Sequence, residues 1–128
     1  MEWRVRFHDE FEPEFKALPA EVQDELLAHA KVLGQIGPTL GRPHVDTLAG
    51  SKHANMKELR FDVAKGVWRV AFAFDPVRAA ILLIAGNKAG VKQKRFYRSL
   101  IERADDRFDR HLATLENQQK ERENGADS

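Results

Sequence analysis

GVWRVAFAFDPVRAAILLIAGNK, residues 66–88, places two apolar runs of different pattern on either side of an Asp75-Pro76 turn. In the first run Trp68, Val70, Phe72 and Phe74 share one face at period two, and Arg69, Ala71 and Ala73 share the other. The large side chains require a packing layer, whereas the small ones leave a floor from which Arg69 can reach. The second run is apolar on both faces, as a central strand covered on both sides must be. Upstream, MKELRF (56–61) reads as a further strand, joined to the first run through a turn at Gly66. The three strands form an antiparallel meander.

Outward from this meander, WRVRF (3–7) alternates apolar and basic side chains and predicts a half-buried N-terminal strand. Phe11, Phe15 and Leu18, then Val22, Leu26, Ala30 and Leu33, recur at helical spacing, with Pro19 breaking the run at the first turn of a new helix. The pattern is a helix hairpin, ended by Gly34 and Gly37-Pro38. About eighteen residues without clear periodicity follow, GPTLGRPHVDTLAGSKHA, and loops that long in a small domain are usually functional or pinned to the surface. A last helix starts near residue 93 and covers the second face of the apolar strand with Leu100, Ala104, Phe108, Leu112 and Leu115. Phe96 and Tyr97 are adjacent on it, so one belongs to the core stripe and the other is free. The expected architecture is α+β: an N-terminal strand and helix hairpin packed on a mainly antiparallel sheet, with a long C-terminal helix. A single domain spans residues 1–116, and the polar residues 117–128 are expected to fray or be disordered.

The 128 residues contain no cysteine, which excludes disulfides, thiol catalysis and Cys-based metal sites. No apolar run approaches the ~20 residues a bilayer needs, and the charged N-terminus is unlike a secretory signal, so a cytoplasmic location is expected. The net charge of +1 hides a strong division. Residues 52–103 hold twelve Lys/Arg against four acids, +8, while residues 1–51 carry −4 and residues 104–128 carry −3. A small domain polarised in this way commonly turns its positive side to a polyanion.

Lys57, Arg60, Arg69 and Lys88 come from the three strands, and Lys92, Lys94, Arg95 and Arg98 precede or open the last helix. Cations beside Phe96 and Tyr97 combine phosphate clamps with stacking surfaces, the usual means of holding single-stranded RNA. Glu58 and Arg60 lie two apart on one strand face, and simple cross-strand pairing is the competing reading, contributing at most ~1 kcal/mol. His8, His29, His44, His53 and His111 lack metal-ligand spacing, and no cofactor or metal is expected. Gly86-Asn87-Lys88-Ala89-Gly90 lacks the spacing of a Walker loop and reads as a strand-ending turn.

In this order, KELRF, VWRVAFAFD, ILLIAGNKAG and QKRFYRSLIERADDRFDRHL resemble the RelE/HigB superfamily of type II toxin–antitoxin toxins, in its phage-derived Gp49-like branch. The resemblance covers roughly residues 3–115. It implies a metal-independent endoribonuclease that cuts messenger RNA, commonly on the ribosome, halts translation, and is silenced by an antitoxin with a helix-turn-helix domain. The family's strand arginine falls on Arg69, its basic residue after the last strand's glycine on Lys88, and its tyrosine on Tyr97. Some RelE toxins carry two lysines flanking one residue in the first meander strand, where this chain has Lys57-Glu58-Leu59-Arg60.

The implied reaction is attack of a ribose 2′-OH on the adjacent phosphate. It needs a base, cations around the phosphate and a donor for the leaving oxygen. Lys57 or Glu58 is the candidate base, Arg69 is the cation that stabilises charge on the phosphate, Lys88 or Tyr97 is the donor, and Arg60 is a further candidate catalytic residue. Lys92, Lys94, Arg95 and Arg98 are the candidate RNA contacts. The alternatives are a poison of a protein target such as DNA gyrase on the same fold, and a non-catalytic RNA- or antitoxin-binding module.

Overall fold

The computed structural model describes residues 2–126. Five strands form one sheet in the order β1-β5-β4-β3-β2. They are β1 (Arg4–Phe7), β2 (Val45–Thr47), β3 (Lys57–Val63), β4 (Gly66–Phe74) and β5 (Ala79–Asn87). Every neighbouring pair is antiparallel except β1 with β5. The helices are α1 (Phe11–Lys16), α2 (Ala20–Ile36) and α3 (Gln93–Ala126). None of these is long and apolar enough to cross a membrane.

The period-two pattern of β4 divides the core as its side chains require. Val70 and Phe72 pack with Leu59 and Leu82 against Phe11, Phe15, Val22, Leu26 and Leu33 of α1 and α2. On the other face Ala71 and Ala73, with Ile81 and Leu83, meet Phe96, Leu100, Ala104 and Phe108 of α3. The α+β architecture expected from the sequence is therefore present. Two local features differ. The β3–β4 turn lies at Ala64 and Lys65, both at positive φ, rather than at Gly66, which already belongs to β4. The long loop contains β2, whose Val45 pairs with Leu59; three residues are too few to register as periodic.

β5 carries an irregularity that ties the two layers together. Phe72 pairs with Leu82 and Ala71 with Ile84, leaving Leu83 as an extra, bulged residue. Its carbonyl accepts from Arg107 Nη1 at 2.7 Å, and the same guanidinium grips both carboxylate oxygens of Glu14 on α1 at 2.8 and 2.6 Å. Arg107 is buried, so its replacement by Leu leaves the bulge carbonyl without a donor. Loss of about 2 kcal/mol of stability is expected in a denaturant titration.

β1 is followed by buried His8, whose Nδ1 accepts the Glu10 N–H at 3.1 Å. Burial lowers the imidazole's proton affinity, Glu10 opposes this, and Arg107 and Arg110 reinforce it. The unfolded chain then binds the proton more tightly, so stability falls as pH drops below the unfolded value of 6.5. His8→Asn keeps an acceptor for Glu10 and should flatten the melting temperature over that range.

Beyond Glu116, where fraying is expected, the described backbone stays helical to Ala126, supported by pairs such as Glu116–Lys120. Side chains from Glu116 to Gly125 are all exposed and add nothing to the core. Residues 127 and 128 of the expected tail lie outside the described residues.

Candidate active site and nucleic-acid interface

Strand register gathers the site on the α3 face of the sheet. Arg60 of β3 lies opposite Arg69 of β4, which lies opposite Gly86 of β5, and Glu58 lies opposite Ala71. A Cβ on Gly86 would meet the Phe96 ring at 2.9 Å, so this glycine lets the first turn of α3 close over the strands. Phe96 then enters the core, while its neighbour Tyr97 turns toward Glu58.

Glu58, Tyr97 and Arg69 form a connected unit beneath the surface. The Tyr97 hydroxyl donates to Glu58 Oε1 at 2.8 Å, and Arg69 Nε donates to the Tyr97 oxygen at 3.3 Å. The same Nε lies 3.5 Å from Glu58 Oε1, and Arg69 Nη1 donates to the Trp68 carbonyl at 2.8 Å. Only 4% of Glu58 and 5% of Arg69 is exposed. Burial raises the Glu58 pKa above the ordinary 4.5, outweighing the Tyr97 hydrogen bond and the charges of Arg69 and Arg60. The Tyr97 pKa is raised as well, first by burial and then by its bond to Glu58. Because Oε1 takes both contacts, Oε2 is left for the cleft.

That cleft, about 430 Å³, is lined by Glu58, Tyr97, Arg60, Lys88, Asp46 and Arg42, among others. The Lys88 ammonium stands 5.7 Å from the Tyr97 ring centroid. Asp46 Oδ2 accepts from Arg42 at 2.7 Å and from Arg60 at 3.3 Å. Its pKa is lowered, first by Arg42 and then by the Thr47 N–H. The basic mouth is therefore organised by carboxylates, which the charge count had not shown. Asp46 reaches the site through β2 and Arg42 by pairing with Asp46 from the loop before it, so neither is marked by local periodicity.

The structure brings Glu58, Arg60, Arg69, Lys88 and Tyr97 together, with Arg69 beneath the cleft rather than in its wall. Lys57 is not among them. Successive side chains alternate across a strand, so Lys57 points to the α2 face, where its ammonium donates to the Pro38 carbonyl at 3.0 Å. It is placed against acting as the base beside Arg69. Lys92, Lys94, Arg95 and Arg98 are exposed. Lys94 and Arg98 line a second cleft that shares Ala49, Gln93 and Tyr97 with the first, whereas Arg95 lines a groove with Phe96 on another side of α3.

The long loop is strapped to α3 where it walls these clefts. Ser51 Oγ donates to Asp105, Lys52 pairs with Asp109, and His53 Nε2 lies 2.8 Å from Asp109. His111 holds Asp75 at 2.7 Å, and His29 stacks on Phe61 with His44 beside it. Among the described residues no three His, Asp or Glu side chains are placed to hold a metal ion. What the cleft offers is a carboxylate of raised proton affinity facing several cations, a set suited to moving a proton beside a phosphate.

The model of the family described as phage derived protein Gp49-like (DUF891) matches residues 13–109. Two proteins of Mycobacterium tuberculosis are each 45% identical to this chain. The first, "Putative toxin HigB2", aligns over 106 residues, 82% of this chain and 52% of that protein. The second, "Putative toxin HigB3", aligns over 100 residues, 78% of this chain and 85% of that protein. The chain thus spans about half the length of HigB2. A mutant of the E. coli toxin RelE in the free state superposes with a TM-score of 0.54, covering 79% of this chain and 95% of that one. At 12% identity this likeness concerns the fold alone. With the family model spanning most of the sequence and the RelE fold beneath it, the chain belongs to the Gp49-like family within the RelE/HigB toxin superfamily.

Proposed function

We propose that the protein is the toxin of a type II toxin–antitoxin pair, a metal-independent endoribonuclease that cuts messenger RNA on the ribosome and is held silent by a helix-turn-helix antitoxin. The toxin names of HigB2 and HigB3 support the class. The observation that carries the chemistry is Glu58, buried yet lining a cleft with Arg60 and Lys88.

In this mechanism Glu58 Oε2 takes the proton of a ribose 2′-OH, and the 2′-oxygen attacks the adjacent phosphorus in line with the departing 5′-oxygen. Tyr97 and Arg69 hold Glu58 in place through the contacts at Oε1. Arg60 offers the phosphate oxygens a planar fork whose other side is fixed by Asp46. As the P–O5′ bond breaks, the Lys88 ammonium gives its proton to the leaving oxygen. The products are a 2′,3′-cyclic phosphate and a 5′-OH. Lys94 and Arg98 continue the positive path for the flanking strand.

Expression of the chain without a partner should arrest growth while messages are cut within their reading frames and chromosomal DNA stays intact. Arrest with intact messages and accumulating DNA breaks would assign the protein to a gyrase-type target instead.

A further inference from the structure

The segment from Leu48 to Met56 closes on itself and hangs from one face of α3. Both ends are buried in the α3 layer, and the Leu48 N–H donates to the Met56 carbonyl at 3.0 Å. Its middle is held by two carboxylates one helical turn apart, Asp105 and Asp109. Asp105 uses both oxygens: Oδ1 accepts from the Ser51 hydroxyl and Oδ2 from the Lys52 N–H at 3.1 Å. The Ser51 oxygen in turn accepts the His53 N–H at 3.0 Å. Asp109 pairs with the Lys52 ammonium and lies 2.8 Å from His53 Nε2, and the His53 ring stands edge-on to Phe108.

What this attachment fixes is the pair of residues before it, Ala49 and Gly50. Both are exposed, and their main chain makes no hydrogen bond of its own among the described residues. Gly50 adopts a φ of +100°, a conformation that favours glycine, and turns the chain against Ile101. Ala49 lines the cleft of Glu58 and Arg60, and it also lines the second cleft, of about 810 Å³, together with Gly50, Tyr97 and Ile101. The charges of the second cleft balance, Lys94 and Arg98 against Glu102 and Asp105. Asp105 therefore opposes a phosphate through its charge, while its hydrogen bonds hold the wall on which a nucleotide would rest.

We propose that Asp105 is a positioning residue for RNA, holding Ala49 and Gly50 as the partition between two neighbouring nucleotide sites, one at Glu58 and one beside Tyr97, Lys94 and Arg98. The proposal rests on the ribonuclease reading given above. Asp105 touches no reacting atom. Its contribution is to affinity, because a partition already ordered spares the complex the cost of ordering it on binding. The sign of the effect is diagnostic. As a charge, Asp105 weakens the binding of a polyanion, and its removal would tighten it; as a clamp, its removal loosens it.

The probe is a 2′-fluoro RNA nonamer of mixed sequence, which lacks the attacking hydroxyl, bound to the full chain and followed by fluorescence anisotropy. Asp105→Ala should raise its Kd about tenfold. Ser51→Ala, which removes one donor without touching α3, should shift Kd in the same direction. Asp105→Asn should stay within about twofold of the wild type, since its oxygen accepts the Lys52 N–H and its amide nitrogen donates to the Ser51 oxygen. On message-programmed ribosomes Asp105→Ala should raise KM by a similar factor and change kcat less than about twofold. Tighter or unchanged nonamer binding by a folded Asp105→Ala protein, no rescue by Asn, or a fall in kcat at constant KM overturns the proposal. So does a wild type that binds no nonamer. A wild type that binds the nonamer but cuts no message refutes the ribonuclease reading alone, and the Kd values still decide whether Asp105 positions RNA.

Discussion

Glu58→Gln is expected to abolish cleavage and at the same time to raise the melting temperature at neutral pH. The two effects share one cause. Burial lifts the Glu58 pKa above 4.5 in the folded chain, so the folded state binds this proton more tightly than the unfolded one. Its stabilising contribution is complete below the unfolded pKa and is lost as pH rises through the raised folded value, leaving a cost at neutral pH. Glutamine resembles the protonated form. Its oxygen still accepts from Tyr97, so the site loses its base without losing its shape. Removal of a positioned base typically costs about 10²–10⁴ in rate. The wild-type rate should also rise with pH along an acid limb displaced above the usual carboxylate range, and that limb should be missing from the variant. A folded Glu58→Gln protein that melts below the wild type, or cleaves as fast, contradicts this account.

Arg69→Ala should lower both stability and rate, and should leave a signature that simple unfolding cannot produce. The side chain rises from the Ala71 and Ala73 floor, as β4 periodicity requires, but Tyr97 closes over it and it stands behind Glu58. Its loss removes a positive charge from beside a buried carboxylate and an N–H from Tyr97. We expect about 2–3 kcal/mol lower stability, moderated because Glu58 can escape by protonation. The rate should fall about 10²–10³-fold. With Arg69 gone, the acid limb of the pH–rate profile must move further upward, since the guanidinium charge lowers the Glu58 pKa. Arg69→Lys should not rescue, because an ammonium cannot donate to Tyr97 and the Trp68 carbonyl together in the manner of the guanidinium. An unchanged acid limb in a folded Arg69→Ala protein would remove Arg69 from the unit.

Much of this arrangement is carried by local pattern. The parity of Trp68 to Phe74 predicts which face meets the hairpin and which meets α3, and the helical spacing from Phe96 to Phe108 predicts the covering helix. Parity also separates Lys57 from Glu58, two adjacent residues of one strand that cannot both face Arg69. The loss of Lys57 from the candidate site was thus within reach of the sequence. Non-local features were not. The parallel pairing of β1 with β5 joins residues 4–7 to residues 79–82, and nothing in either segment names its partner. The Leu83 bulge in the β4–β5 ladder and its Arg107 donor on α3 depend on other long-range contacts. β2 is defined by the strand beside it, so the approach of Asp46 and Arg42 to Arg60 follows from pairing rather than from composition. The raised pKa of Glu58 is likewise a product of burial by α3, and in the sequence Glu58 reads as one charge among many.

The most direct test of the central claim is to map the ends produced when the purified protein meets message-programmed ribosomes, wild type beside Glu58→Gln. Attack by the ribose 2′-OH assisted by Glu58 predicts 5′-hydroxyl ends matched by 2′,3′-cyclic phosphates within the reading frame, both absent from the folded variant. Intact messages with the wild type, 5′-phosphate ends, or an undiminished pattern with Glu58→Gln would contradict it.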